Sequence, residues 1–215
     1  QSLIRHKHMF EFGDALRPGN LYDYFLQRQE KGVLAAREIL IAILKSMGEI
    51  WPDGSWVDSI AIGDAAYHEA VKRSDITDRI VPFHKLSQWM SYSLIEPLQL
   101  AGMKIINLDA LTGLAEYRNG GLFIDTGTIS LRDKTEMETL HDPKSPLIVE
   151  WRALTVTLLD QLAEQIRQHT NTNAESLPLV SILQGGTWSA GRRIAQRLRS
   201  DASPPLRLKS RGTIF

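Results

Sequence analysis

Between Trp151 and His169 the apolar residues Trp151, Leu154, Leu158, Leu162 and Ile166 return every three or four positions. At 3.6 residues per turn they share one stripe, so the spacing predicts a long helix that must bury that stripe against other elements. The same period predicts a helix over 32–47, marked by Val33, Ala36, Leu40, Ile43, Leu44 and Met47. A second long helix is marked by Phe83, Leu86, Met90, Leu94 and Leu98, kinked or shortened by Pro97 and stopped at Gly102. Asp109 reads as the N-cap of a helix over 110–118, with Asn119-Gly120-Gly121 as its left-handed exit. The stretch 48–63, with three glycines and two tryptophans, reads as a packed loop with a short strand. The stretch 122–131 reads as an extended piece or a hairpin with Gly127 in the turn. After a polar loop at 169–176, Gly185-Gly186-Thr187 precedes a basic helix over 188–199, and Pro204-Pro205 leaves an extended tail. There is no alternation of strand and helix, so the class is mainly α with minor β elements.

The 215 residues suit one domain over 1–215 with a sizeable core. Lysine plus arginine and aspartate plus glutamate number 25 each. A neutral domain lacks the field that draws a protein onto nucleic acid or anionic lipid, so neither partner is expected, while a small phosphorylated ligand remains open. The chain has no cysteine, which excludes a disulfide framework and a thiolate nucleophile. No window approaches the roughly 20 apolar residues of a membrane span, and the start lacks the apolar run of a signal peptide. A cytoplasmic location is the expectation. The chain begins at Gln1, so it reads as a fragment of a longer protein.

Several polar constellations stand out, each with a structural alternative. Glu116, Tyr117 and Arg118 precede a glycine pair; at the end of a helix over 110–118, Glu116 would oppose the negative end of the dipole, a broken local rule that marks a functional candidate. The alternative is a Glu116–Arg118 surface network. Glu150 suits the start of the long helix, whereas Arg152 near that start calls for an ion pair or a bound anion. Gly185-Gly186-Thr187 with Arg192 and Arg193 could cradle a phosphate, with Thr187 as an ordinary N-cap the better default. His84 is the histidine of interest; His68, His141 and His169 share no metal-ligand spacing, and no metal site is expected. Trp89, Trp151 and Trp188 read as core anchors.

The motifs PFHKLSQWMSYSLIEPL, LTGLAEYRNGGLFIDTG, VEWRALTVTLLDQLA and LQGGTWSAGRRIAQRLR, with LRPGNLYDYF before them and GTIF at the end, resemble the uracil-catabolism protein four family of fungi and bacteria. The resemblance is ordered and covers nearly the whole chain. Family members extend further at the N-terminus, so the chain resembles their C-terminal part, and the missing part would pack against this domain. The resemblance implies a pathway in which uracil becomes a ribonucleotide, its ring is opened and urea is released. Ala115-Glu116-Tyr117-Arg118 and Val149-Glu150-Trp151-Arg152 are also similar, more faintly, to two motifs of queuosine-nucleotide glycosidases (the queuosine salvage proteins), with glutamate in place of aspartate. That similarity implies a helical, DNA-glycosylase-like fold and cleavage of an N-ribosyl bond by the motif carboxylate, without a cofactor.

On that implication Glu116 is the stabilising carboxylate or nucleophile, and Asp125 or His84 protonates the leaving nitrogen. Tyr117, Arg118, Trp89 and Glu150 line the substrate, and Lys85, Arg152, Thr187, Trp188 and Arg192 belong to the phosphate side or its surroundings. The product would be that of hydrolysing a ribosylurea-type nucleotide. Two other readings stay open: an amidohydrolase acting on the opened pyrimidine, and a non-catalytic nucleotide-binding subunit of the pathway.

Overall fold

A computed structural model describes residues 1–209. The terminal GTIF and most of the expected extended tail lie outside these residues. Contacts divide the chain into two compact units, one of residues 1–64 and 86–111, the other of residues 65–85 and 112 onward. Each has its own core, and both are mainly helical, as the periodicity predicts.

In the first unit, short helices α1 (Ser2–Arg5), α2 (Lys7–Phe10) and α3 (Leu21–Leu26) precede α4 (Ala36–Met47), and most of α5 (Lys85–Leu100) completes the set. The helix predicted from residue 32 starts four residues later. Val33–Ala35 is instead a strand in parallel register with Lys104–Ile106, and the strand hands directly into α4. The α4 face that meets the core is Ala36, Ile39, Ala42, Ile43 and Ser46, with Phe10, Phe25 and Leu34 among the other fully buried side chains. Ser46 is accommodated because its hydroxyl donates to the Ala42 carbonyl at 2.7 Å. Pro97 sits inside α5, and Gly102 follows its end at φ +90°, where a left-handed stop was expected. The loop expected over 48–63 contains an antiparallel hairpin, Ser55–Val57 with Ile60–Gly63.

The second unit contains α6 (Tyr117–Asp125), α7 (Pro146–Thr170), α8 (Leu179–Ile182) and α9 (Trp188–Leu198). Two small sheets accompany them: Ala65–Tyr67 antiparallel to Ile80–Pro82, and Leu140–His141 parallel to Arg207–Leu208. The long amphipathic helix is real but begins five residues early, at Pro146, where proline suits the first turn. Its deepest row is Ile148, Arg152, Thr155, Leu159 and Ala163, whereas Leu154 is 46% exposed. The true inward face thus contains an arginine and a threonine that a hydrophobic stripe passes over.

Two other expectations are corrected. The helix predicted over 110–118 is not there: Leu108–Ala110 is a 3-10 turn, and the helix runs instead over Tyr117–Asp125. It therefore also replaces the extended piece expected at 122–125; Gly127, at φ +75°, turns the chain just after it. The segment Gly185-Gly186-Thr187 does precede the basic helix, which runs over Trp188–Leu198 as expected, but it is not a loop or cap before a free helix start. It lies within a π-type turn, Leu183–Thr187, that joins α8 to α9 without a break, and Thr187 is itself helical at φ −65°, ψ −42°.

The glycines of α6 and α9 mark close approach rather than a helix exit. A Cβ on Gly120 would lie 2.7 Å from Thr155 Oγ1 and 2.9 Å from the Trp151 ring of α7. A Cβ on Gly191 would collide with the backbone carbonyl oxygen of Arg118. At the other end of α6, Asp125 receives a bidentate clasp from Arg199, Nη1 to Oδ1 at 2.8 Å and Nη2 to Oδ2 at 2.6 Å. The near-constant offset of these contacts means that α6 and α9 run side by side in the same direction.

Gly191→Ala is therefore expected to lower stability by about 3 kcal/mol or more, because the obstacle is backbone that cannot rotate away. Gly185→Ala, whose Cβ would meet nothing within 4 Å, should be close to neutral. Denaturant midpoints of the two variants check this; equal midpoints would show that α6 and α9 are not packed this closely.

Candidate functional site

In the second unit Ala66, Phe83, Ala115 and Val149 form one buried apolar cluster, with Val81, Ala153 and Val156 packed on it. Each of the four is one or two residues from a polar side chain: His68, His84 and Lys85, Glu116, and Glu150. Consecutive Cα atoms are about 3.8 Å apart, so a shared apolar floor brings these segments to one neighbourhood. None of the apolar residues is catalytic by type; their burial is what gathers distant stretches of chain.

Glu116 is the best-defined member. It is not at a helix C-terminus, as the sequence suggested, but is the N-cap of α6, with extended backbone at φ −125°, ψ 157°. Its Oε2 accepts the Arg118 N–H at 2.9 Å and its Oε1 accepts the Asn119 N–H at 2.6 Å. The dipole therefore favours the carboxylate instead of opposing it. Yet the residue is 5% exposed. Burial pushes its carboxyl above the usual range, against the two N–H bonds and the positive charges of Lys85 and Arg118. An ionised carboxylate offers about four acceptor positions, so two remain after capping.

Two cations are buried near it. Lys85, at the first position of α5, is 5% exposed, and Arg152 is fully buried. The Arg152 guanidinium lies 4.0 Å from the centre of the Phe83 ring, and its Nε reaches the Ala115 carbonyl at a long 3.4 Å. It sits two turns into α7 rather than near the helix start, so the dipole argument for an anion beside it falls away. His84 adopts the left-handed region at φ +51°, an unusual backbone state for a non-glycine residue. Glu150 is solvent-facing and pairs with His68, Nε2 to Oε1 at 3.2 Å.

The remaining candidates fall elsewhere. Tyr117 packs against Ile148, Trp151 and Leu206, with the Arg118 guanidinium 4.9 Å from its ring. Arg118 donates to the Ala202 carbonyl at 2.7 Å. Asp125 closes the far end of α6, about 13 Å along the helix from Glu116 at 1.5 Å per residue, and both its oxygens are taken by Arg199. Thr187 is buried and donates to the Asn119 side chain at 2.8 Å, while Asn119 in turn donates to the Leu114 carbonyl at 3.2 Å. Its segment offers no helix N-terminus to a phosphate. Trp188 is half-buried with the exposed Arg192 5.7 Å from its ring, and Trp89 belongs to the first unit, 50% exposed. Among the described residues no three His, Asp or Glu side chains are grouped to hold a metal ion, and no helix is long and apolar enough to cross a membrane.

Sequence reading passed over His68, whose isolation from other histidines concealed its pairing with Glu150. Within the first unit it also passed over the buried polar residues Asp64, Ser87, Gln88 and Ser91, which belong to that unit's own interior. The polar positions on the inner side of α5 are a visible signal that was available.

These features define a mainly helical protein with a buried carboxylate anchored at a helix start. The chain belongs to the family described as Protein of unknown function (DUF1688), which matches residues 1–215. It is 43% identical over 169 residues to Protein urg3 of Schizosaccharomyces pombe, covering 77% of this chain and 41% of that protein. It is 36% identical over 231 residues to Uracil catabolism protein 4 of Lachancea kluyveri, covering 95% of this chain and 52% of that protein. The resemblance to the uracil-catabolism protein four family is thereby shown, and the chain spans about half the length of these curated relatives. No solved structure matches it.

Burial gives Glu116 a folded-state proton affinity above that of the unfolded chain, which has a sign for stability. Below the unfolded pKa of about 4.3 both states are protonated and the contribution is complete. As pH rises, the unfolded chain ionises first, and the contribution is lost through the raised folded pKa. The stability of the wild type relative to Glu116→Gln should therefore decline from acid toward neutral pH and then level off. Denaturation at a series of pH values measures this; a difference that is flat or grows with pH would contradict it.

Proposed function

We propose that this chain acts in uracil catabolism, the process named in its Lachancea kluyveri relative, as a hydrolase of the N-ribosyl bond of a ring-opened uracil nucleotide of the ribosylurea phosphate type. The observation that carries this reading is Glu116: a carboxylate nearly removed from water, fixed through both oxygens, and set beside a buried lysine. The similarity of its AEYR and VEWR motifs to those of queuosine-nucleotide glycosidases supports the same chemistry.

Breaking an N-ribosyl bond builds positive charge on the anomeric carbon and ring oxygen. A carboxylate stabilises that charge best where water does not compete, and a poorly solvated one gains most when a cation forms against it. Glu116 is the group assigned to that face, either stabilising the cation or bonding to the anomeric carbon. The backbone N–H groups of Arg118 and Asn119 restrict its rotation, so it need not reorganise during reaction. Lys85 and Arg152 are the buried cations suited to a 5′-phosphate. Water is the second substrate: the nitrogen takes a proton and leaves as urea as its bond to the anomeric carbon breaks, and the water oxygen then bonds to that carbon and gives up a proton. Asp125, one of the two acids expected to protonate the nitrogen, has both oxygens engaged by Arg199 and is not the assigned donor.

The test is urea release from ribosylurea 5′-phosphate, followed with ribose 5-phosphate formation. The wild type should yield both in equal amounts, and Glu116→Gln should lose at least about a hundredfold in kcat, a typical cost of removing an electrostatic stabiliser. No urea from the wild type would overturn the reading. Near-normal turnover by Glu116→Gln would take the carboxylate out of the mechanism.

A further inference from the structure

Glu150 and Glu116 stand in contrasting environments around one apolar floor. Val149 and Ala115, their immediate neighbours in sequence, belong to the same buried cluster. Glu116 is buried and held through both oxygens, whereas the Glu150 side chain is 60% exposed and held through one. Among the described residues the second oxygen of Glu150 has no partner. A group that exchanges protons with a reacting nitrogen and with water must be reachable and yet fixed in direction, and Glu150 meets both conditions.

His68 supplies the fixing. The Ala70 N–H donates to its Nδ1 at 3.2 Å, so that nitrogen carries a lone pair and the proton of the neutral ring is on Nε2. Nε2 faces Glu150 Oε1 at 3.2 Å. The histidine itself has little freedom: its side chain is 12% exposed, its N–H donates to the Arg79 carbonyl at 2.8 Å, and its carbonyl accepts the Val71 N–H at 3.1 Å. The result is an imidazole held by the Ala70 N–H that stands against one carboxylate oxygen of Glu150 and leaves the other for chemistry.

We propose that Glu150 is the acid–base partner of Glu116 in N-ribosyl hydrolysis, with His68 as its positioning residue. This rests on the hydrolase reading above and adds the proton route that the reading lacks. In the first step the protonated Glu150 gives its proton to the departing nitrogen as the bond from that nitrogen to the anomeric carbon breaks, with the bonding electrons leaving on nitrogen. The resulting cation is stabilised or bonded by Glu116. In the second step the Glu150 carboxylate takes a proton from water as the water oxygen bonds to the anomeric carbon, and Glu116 is released. The proton that Glu150 gives in the first step is replaced by one from water in the second, so the atoms and charge balance with water as the sole co-reactant.

The test compares two substrates of one enzyme: ribosylurea 5′-phosphate, whose leaving nitrogen needs a proton, and nitrophenyl riboside 5-phosphate, whose phenolate leaves without one. Glu150→Gln keeps an acceptor for His68 and should lose about 10²–10⁴-fold on the urea substrate while retaining most of its rate on the nitrophenyl substrate. Glu116→Gln should lose rate on both. His68→Ala should lower kcat on the urea substrate with little change in KM, and His68→Gln, which can still donate to Glu150, should restore much of it. An equal loss on both substrates for Glu150→Gln, or no loss, overturns the acid–base assignment while leaving the hydrolase reading intact. Equal damage from His68→Ala and His68→Gln overturns the positioning role. A wild type that is silent on both substrates overturns the hydrolase reading and this inference with it.

Discussion

Removing a guanidinium from water costs several kcal/mol unless its surroundings replace the lost hydration. Arg152 sits in the innermost row of α7, fully buried, so the second unit must be arranged around that demand. Its flat cation lies on the face of Phe83 and its Nε points at the Ala115 carbonyl. A lysine, with a compact and strongly hydrated head, could not lie flat on a ring while reaching a carbonyl. The two partners precede Lys85 and Glu116 in the chain, so meeting the needs of one buried cation also fixes where the lysine and the capping carboxylate begin.

Where the sequence carried strong helical period, its reading held: α4, α5, α7 and α9 all stand close to their expected positions. The errors have physical causes. A hydrophobic stripe identifies a helix but not its most buried row, because Arg152 and Thr155 enter the core of α7 once their polar atoms are satisfied, Thr155 by the Trp151 carbonyl at 2.7 Å. The segment Asn119-Gly120-Gly121 looked like an exit because glycine ends many helices. Here it opens one, and Gly120 is small so that α7 can come close. Two residue types that signal a helix end from sequence can equally signal a crossing, and only the partner helix distinguishes them. That single misreading shifted α6 by a turn or more and reversed the dipole argument for Glu116.

The candidate site was legible as motifs and not as geometry. Glu116, Lys85 and Arg152 emerge as the buried polar residues of their segments, while Asp125 and Thr187, equally polar, turn out to hold α6 in place through Arg199 and Asn119. Nothing in residue type separates these two groups. Their difference arises from the partners each one meets, Arg199 for Asp125 and Asn119 for Thr187, and that depends on long-range packing. His68 shows the converse: it belongs to no motif, and the antiparallel pairing of Ala65–Tyr67 with Ile80–Pro82 fixes the start of its loop.

The parallel pair α6 and α9 is joined near its start by the close approach of Gly191 to Arg118 and near its end by the clasp of Asp125 and Arg199. Two such attachments, one steric and one ionic, leave little room for the helices to slide or pivot past each other. They will move as a single lever, and the carboxylate at the start of α6 inherits that stiffness. The loop between the strands at 65–67 and 80–82, in the same unit, is attached elsewhere, to α7 through the contact of His68 with Glu150. That loop carries His68 and Ala70, so rigidity at Glu116 and alignment at Glu150 have separate origins in one unit, a braced helix pair for the first and a held imidazole for the second.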